Sequence, residues 1–139
     1  TIMVQLKRLL LVALIPFIPG CALYDAYFMA KYDTNEYALI NSVKTRAELA
    51  QEVCTNKPAV EQKLVDIYAQ SVEFRNFTFY IPRNTDANNM ASKLVDLTKS
   101  TKEYYNTHDK VSEVFCKMKL QQIVKSSDAI METLGKKPR

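Results

Sequence analysis

The sequence predicts an all-α protein: an antiparallel up-down bundle of about four helices behind an N-terminal signal segment. Three observations predict it. Four stretches repeat apolar residues at alternating spacings of three and four, the pattern of one helix face. The 139-residue chain has only two glycines, too few for hairpin-rich β structure or a Gly-rich phosphate loop, which need residues at φ > 0. Short polar or Pro-containing breaks separate the stretches, and short connections make consecutive helices antiparallel neighbours.

The first helix is read over residues 36–55, from Ile40, Val43, Ala47, Ala50 and Cys54. "DTNE" at 33–36 resembles a capping box, with Asp33 three residues before Glu36. A helix unbroken from about Leu23 is the other reading. "TNKP" at 55–58 stops this helix, and Pro58 suits the first turn of the next. That second helix is expected over 58–74, with Val60, Leu64, Ile67, Ser71 and Phe74 as its stripe. "RNFTFYIPRNTD" then interrupts; Pro82 disfavours a helical residue before it, and Thr85 or Asp86 can cap the third helix. "FTFYI" at 77–81 alternates like a strand, but one strand has no partner. The third helix is expected over 86–105, with Met90, Leu94, Leu97, Thr101 and Tyr104 on its stripe. "YNTHD" at 105–109 breaks the pattern. The fourth is expected over 109–134, from Cys116, Leu120, Ile123, Ser127, Ile130 and Leu134, helped by Val111 and Phe115. Gly135 is placed as the C′ residue after it, and "KKPR" forms a basic tail at 136–139.

Composition narrows the function. Charged residues make up 24% and the net charge is +4, of which Lys7 and Arg8 supply two charges. Basic and acidic residues alternate along the rest, the pattern of solvated helix faces. A nucleic-acid binder needs a basic stripe, so nucleic acid is not expected as a partner.

The N-terminus points to export. Lys7-Arg8 precede "LLLVALIPFIPG", an apolar run too short for a transmembrane helix, which needs roughly 20 residues, and with the layout of a secretory signal. "IPGC" at 18–21 resembles the lipobox of bacterial lipoprotein precursors. Ile18 stands at the aliphatic site, Pro19 where Ser or Ala is usual, Gly20 before the cleavage point and Cys21 at the lipidated position. The resemblance covers only residues 1–21. It implies removal of residues 1–20 and acylation of Cys21, palmitate being one such chain, each buried CH₂ contributing roughly 0.8 kcal/mol of membrane affinity. No Asp follows Cys21 directly, which in similar enterobacterial lipoproteins goes with the outer membrane. The expected organisation is a signal peptide at 1–20, a lipid-anchored Tyr-rich linker or helix start at 21–35, the bundle at 36–135 and the tail. The expected location is a bacterial membrane surface facing the periplasm.

With Cys21 assigned to lipid, Cys54 and Cys116 remain. Both lie on apolar stripes, on helices that neighbour each other in a simple bundle, and an oxidising compartment permits a disulfide. The alternative is two buried thiols acting as small hydrophobes. Against the bond, Cys54 ends its helix while Cys116 sits about two turns into its own. No metal site is expected, with no CxxC and a single His. That residue, His108, lies in a polar turn and reads as an exposed cap. Glu48/Glu52 and Asp66/Glu73 read as solvated surface. No catalytic signature is present, so an enzyme is not expected and no cofactor is implied.

Two aromatic groups remain: Tyr24, Tyr27 and Phe28 after Cys21, and Phe77, Phe79 and Tyr80 with Arg83 in the second connection. In an up-down bundle anchored at Cys21, that connection and the basic tail return to the anchored end. These residues are candidates for contact with a membrane or a partner; the alternative is that they close the core at that end. The expected function is binding, by a lipid-anchored envelope lipoprotein with an envelope protein as partner. Phage-encoded receptor masking or lysis assistance are analogies of the same kind. The alternative is a carrier of small apolar ligands or lipids, drawn from the small stripe residues Ala47, Ala50, Ser71 and Ser127.

Overall fold

A computed structural model describes residues 30–139; the signal segment, Cys21, Tyr24, Tyr27 and Phe28 lie outside the described residues. The four helices are α1 (Thr34–Ala50), α2 (Lys57–Phe79), α3 (Thr85–Thr107) and α4 (Glu113–Gly135), with a 3-10 turn at Gln51–Val53. No strand occurs among the described residues. Each helix packs on its neighbours in sequence, and α1 packs on α4, closing the up-down bundle.

α1 starts where its cap says. The Asp33 carboxylate accepts from the N–H groups of Asn35 and Glu36 at 2.8 and 3.0 Å. All five predicted stripe residues, Ile40 to Cys54, are buried. Asn56 caps α2 through Ala59 N–H at 3.2 Å, with Pro58 in the first turn, where its missing N–H costs nothing. The α2 stripe is as read but does not end at Phe74. The helix continues to Phe79, because its next stripe position, Thr78, is also buried and Pro82 is the first residue able to stop it.

α3 differs more. Its buried face is Ala87, Ala91, Leu94, Thr98, Thr101 and Tyr105, with Val95 beside them. Met90, Leu97 and Tyr104 flank it, half-buried. The face is turned because the α2–α3 seam takes small and hydroxylic residues. Ser71 and Thr98, both fully buried, hydrogen-bond across it at 2.8 Å. α4 starts at Glu113, capped by Ser112 through Phe115 N–H at 3.1 Å, and every predicted stripe residue is buried. Gly135 is the last helical residue instead of a left-handed cap; no glycine among the described residues has positive φ.

Burial holds the bundle. Each fully buried Leu, Ile or Phe contributes about 1.5–3 kcal/mol relative to exposure. A surface pair such as Lys44–Asp128 between α1 and α4, or Arg46–Asp66 between α1 and α2, contributes at most about 1 kcal/mol. The small residues Ala47, Ala50, Ser71 and Ser127 are all fully buried, so they let helices approach closely.

Cys54 and Cys116 form a disulfide, with a Cα–Cα distance of 5.7 Å. The difficulty seen in the sequence disappears because α4 begins four residues later than predicted, which puts Cys116 in its first turn. Loop closure over a separation of 62 residues corresponds to about 4 kcal/mol in the chain-entropy picture.

Tyr105, at the same end, is buried, and its hydroxyl has no hydrogen-bond partner among the described residues. Burial, then the nearby Glu61 carboxylate, pushes its phenol above the ordinary value of 10.0. Above the ordinary pKa the unfolded chain releases this proton while the folded chain keeps it, so stability falls as pH rises into that window. An unpaired buried hydroxyl costs about 1–3 kcal/mol. Tyr105→Phe should therefore be at least as stable as the parent in urea melts at pH 7, and should lose stability less steeply between neutral and strongly alkaline pH.

Candidate functional site

The two ends of the bundle are closed by different chemistry. The distal end carries the disulfide. There His108 stacks on Tyr104, and Tyr104 on Phe115, with ring centroids 3.8 and 4.3 Å apart. His108 is exposed and caps α3, its Nδ1 lying 2.9 Å from the Tyr104 carbonyl and 3.0 Å from the Thr107 hydroxyl. No group of three His, Cys, Asp or Glu side chains among the described residues is placed to hold a metal ion.

The proximal end is where the chain joins the bundle, and it is built from three segments far apart in sequence. Ala30 N–H donates to the Arg83 carbonyl at 3.3 Å, and Tyr32 N–H to the Pro138 carbonyl at 2.8 Å. These bonds fix the approach to α1 between the α2–α3 connection and the tail after α4. Arg139 lies over the Tyr32 ring, 4.5 Å from its centroid, and Tyr32 packs on Tyr37 at 5.8 Å.

Beneath them sits a buried charge network. The Lys137 ammonium donates to Glu36 Oε1 at 2.6 Å and to Asn84 Oδ1 at 2.5 Å. Asn84 Nδ2 donates to Glu36 Oε2 at 2.5 Å and to the Thr78 carbonyl at 3.1 Å. The Glu36 and Lys137 side chains are 0% and 4% exposed. Asn88 completes the set, donating to the Arg75 carbonyl and to Thr78 Oγ1 at 3.2 and 3.1 Å. Asn84 thereby reaches the Thr78 carbonyl in the last turn of α2, one of those a helix end leaves without an intrahelical partner. Both acid and amide are drawn away from local roles. Glu36 stands at the capping-box position of α1 but turns inward. Asn84 is the N-cap of α3 yet makes no side-chain cap bond.

This network corrects the reading of the tail. Lys137 is a core residue, and only Lys136 and Arg139 of the basic tail are exposed. Sequence reasoning missed Glu36, Asn84 and Lys137 as a unit. The available signal was weak: an acid, an amide and a lysine beside apolar stripes, 101 residues apart at the extremes.

The predicted aromatic residues of the second connection separate into two kinds. Phe77 is half-buried on α2. Phe79 and Tyr80 project outward, 66% and 81% exposed, with rings edge to face at 5.1 Å. Arg83 is also exposed and turns the chain with φ of 62°, the left-handed region that costs a non-glycine residue roughly 1–2 kcal/mol. Thr78, Phe79, Ile81, Pro82, Arg83, Asn84, Thr85 and Asn88 line a shallow hollow of about 350 Å³ beside the tip. A second exposed apolar site, unread from the sequence, is Val114 and Met118 on the first turns of α4, 78% and 47% exposed.

No protein-family model, curated protein or solved structure matches this chain. What the arrangement can do therefore rests on the site itself: a polar-plugged end presenting two aromatic rings and exposed cations. The contribution of the plug to stability is testable. Removing one partner of a buried ion pair strands the other in low dielectric, at a cost of about 3–5 kcal/mol. Lys137→Ala should lose stability of that order in urea melts. The double variant Glu36→Leu with Lys137→Met should lose clearly less than the single change, since no charge is left stranded.

Proposed function

We propose that this chain is the precursor of an exported, lipid-anchored helical bundle that acts by binding at a bacterial membrane, not by catalysis. The observation that carries the reading is the pairing of "IPGC" at 18–21 with a bundle whose proximal end, nine residues after Cys21, presents Phe79 and Tyr80 to solvent. Nine residues reach at most ~30 Å, so an acylated Cys21 would hold that end close to the bilayer. The Cys54–Cys116 bond supports an oxidising compartment. No helix among the described residues is long and apolar enough to cross a membrane, which leaves attachment to the residues before Ala30. The bound partner in this reading is an envelope protein, and the phage-type roles of receptor masking or lysis assistance fit the same architecture. For the alternative, a carrier of apolar ligands, the full burial of Ala47, Ala50, Ser71 and Ser127 is better suited to close helix packing than to a ligand cavity.

Intact mass spectrometry of the chain extracted from bacterial membranes tests this directly. The expected product starts at Cys21, carries added acyl mass and lacks two hydrogens for the disulfide. A soluble product that retains residues 1–20 and carries no acyl group would contradict it.

A further inference from the structure

The tip of the α2–α3 connection presents two large exposed rings, Phe79 and Tyr80. The core along α2 ends at Phe74, and the following stripe position, Thr78, is buried in polar contacts with Asn88 and Arg75. Around them exposed cations outnumber unpaired acids: Lys31, Arg83 and Arg139 are exposed, while Lys136, also exposed, is paired with Glu132. Each belongs to a segment that the proximal end ties together. Two of the acids there are paired with a lysine and two, Asp33 and Asp86, keep their charge, so the positive excess is small. Glu36 is neutralised by Lys137, Glu132 bonds Lys136, Asp33 caps α1, and Asp86 lies in the first turn of α3.

Resting on the lipid-anchor reading, we propose that this tip docks onto the anionic bilayer surface itself, with Phe79 and Tyr80 seated at headgroup level and the surrounding cations facing lipid phosphates. Three features favour a bilayer over a protein as occupant. The tip is a single turn with two large exposed rings, whereas a stable protein interface buries on the order of 800 Å² per partner. Phe and Tyr beside Arg and Lys is the composition of interfacial anchors, and each basic residue near an anionic surface adds attraction. The tether also ends at this tip: Ala30 is bonded to the Arg83 backbone, so a Cys21 anchor makes this the nearest part of the bundle to the bilayer. Docking would stand the bundle on its proximal end, with the disulfide end and the exposed Val114–Met118 pair directed away from the membrane.

The chain contains no Trp, so one introduced indole is a clean reporter. Phe79→Trp is made in the full acylated chain, with Val114→Trp as the distal control. Each is reconstituted into vesicles of phosphatidylethanolamine and phosphatidylglycerol, with and without brominated acyl chains. Flotation and intact mass report the tether independently. The expected result is a blue shift and strong quenching for Trp at position 79, neither at position 114, and weaker quenching on neutral phosphatidylcholine. Chains that float while position 79 stays unquenched overturn the docking and leave the anchor standing. Quenching at both positions overturns the end-on orientation, and equal quenching on neutral vesicles overturns the role of charge. A chain that carries no acyl group and does not float overturns the anchor and the docking together.

Discussion

The structure depends on one lysine ammonium placed where water does not reach. Lys137 lies beyond the last helix, yet its charge is buried against Glu36 from the start of the first helix and Asn84 from the connection between the middle two. An ion taken out of water loses several kcal/mol of solvation, and only complete pairing offsets that loss. The contribution of the network is therefore less a gain in stability than a penalty on every other arrangement. Detaching the tail, rotating α1 or re-forming the α2–α3 turn each leaves a charge or an amide in apolar surroundings. One N-cap residue, Asn84, and the first-turn acid Glu36 are diverted to satisfy it, which shows how strongly the site constrains its neighbours.

That constraint sets apart the two ends of the bundle. The distal end is closed covalently, with Tyr105 in the core and with Tyr104 stacked between His108 and Phe115. The proximal end is closed by hydrogen bonds and charge. Phe79 and Tyr80 stand outside it, exposed, close to where Ala30 is bonded to the Arg83 backbone. In the proposed reading the Cys21 tether shares this end with the polar plug and the aromatic tip, and that convergence supports binding at a membrane surface as the proposed function.

Much of the architecture is legible in the sequence. The stripes of α1, α2 and α4 read residue for residue, because each carries Ile, Leu or Val at the 3–4 spacing that fixes the register of the face, Ile40 and Val43 in α1 doing so for Ala47 and Ala50. The pairing of Cys54 with Cys116 accords with their places on adjacent stripes. The α3 face lies about one position from its predicted place, since Ala87, Ala91 and Thr98 carry little hydrophobic signal, and Thr98 is drawn inward by its hydrogen bond to Ser71. α2 is longer than its pattern indicates because aromatic and β-branched residues at 77–79 have low intrinsic helix preference, which tertiary burial of Thr78 overrides. The Glu36–Asn84–Lys137 network is not legible. Each member looks like something local, a cap, a turn residue or a tail charge, and only the closed bundle brings them together.

The central claim is that the proximal end is the working surface of the molecule. Hydrogen exchange of the full acylated chain, compared between detergent and anionic vesicles, measures it most directly. The account predicts slower amide exchange confined to residues 79–85 and 135–139 on vesicles, with residues 104–118 at the distal end unchanged. Protection appearing at residues 104–118 instead, with the α2–α3 tip unaffected, would contradict it.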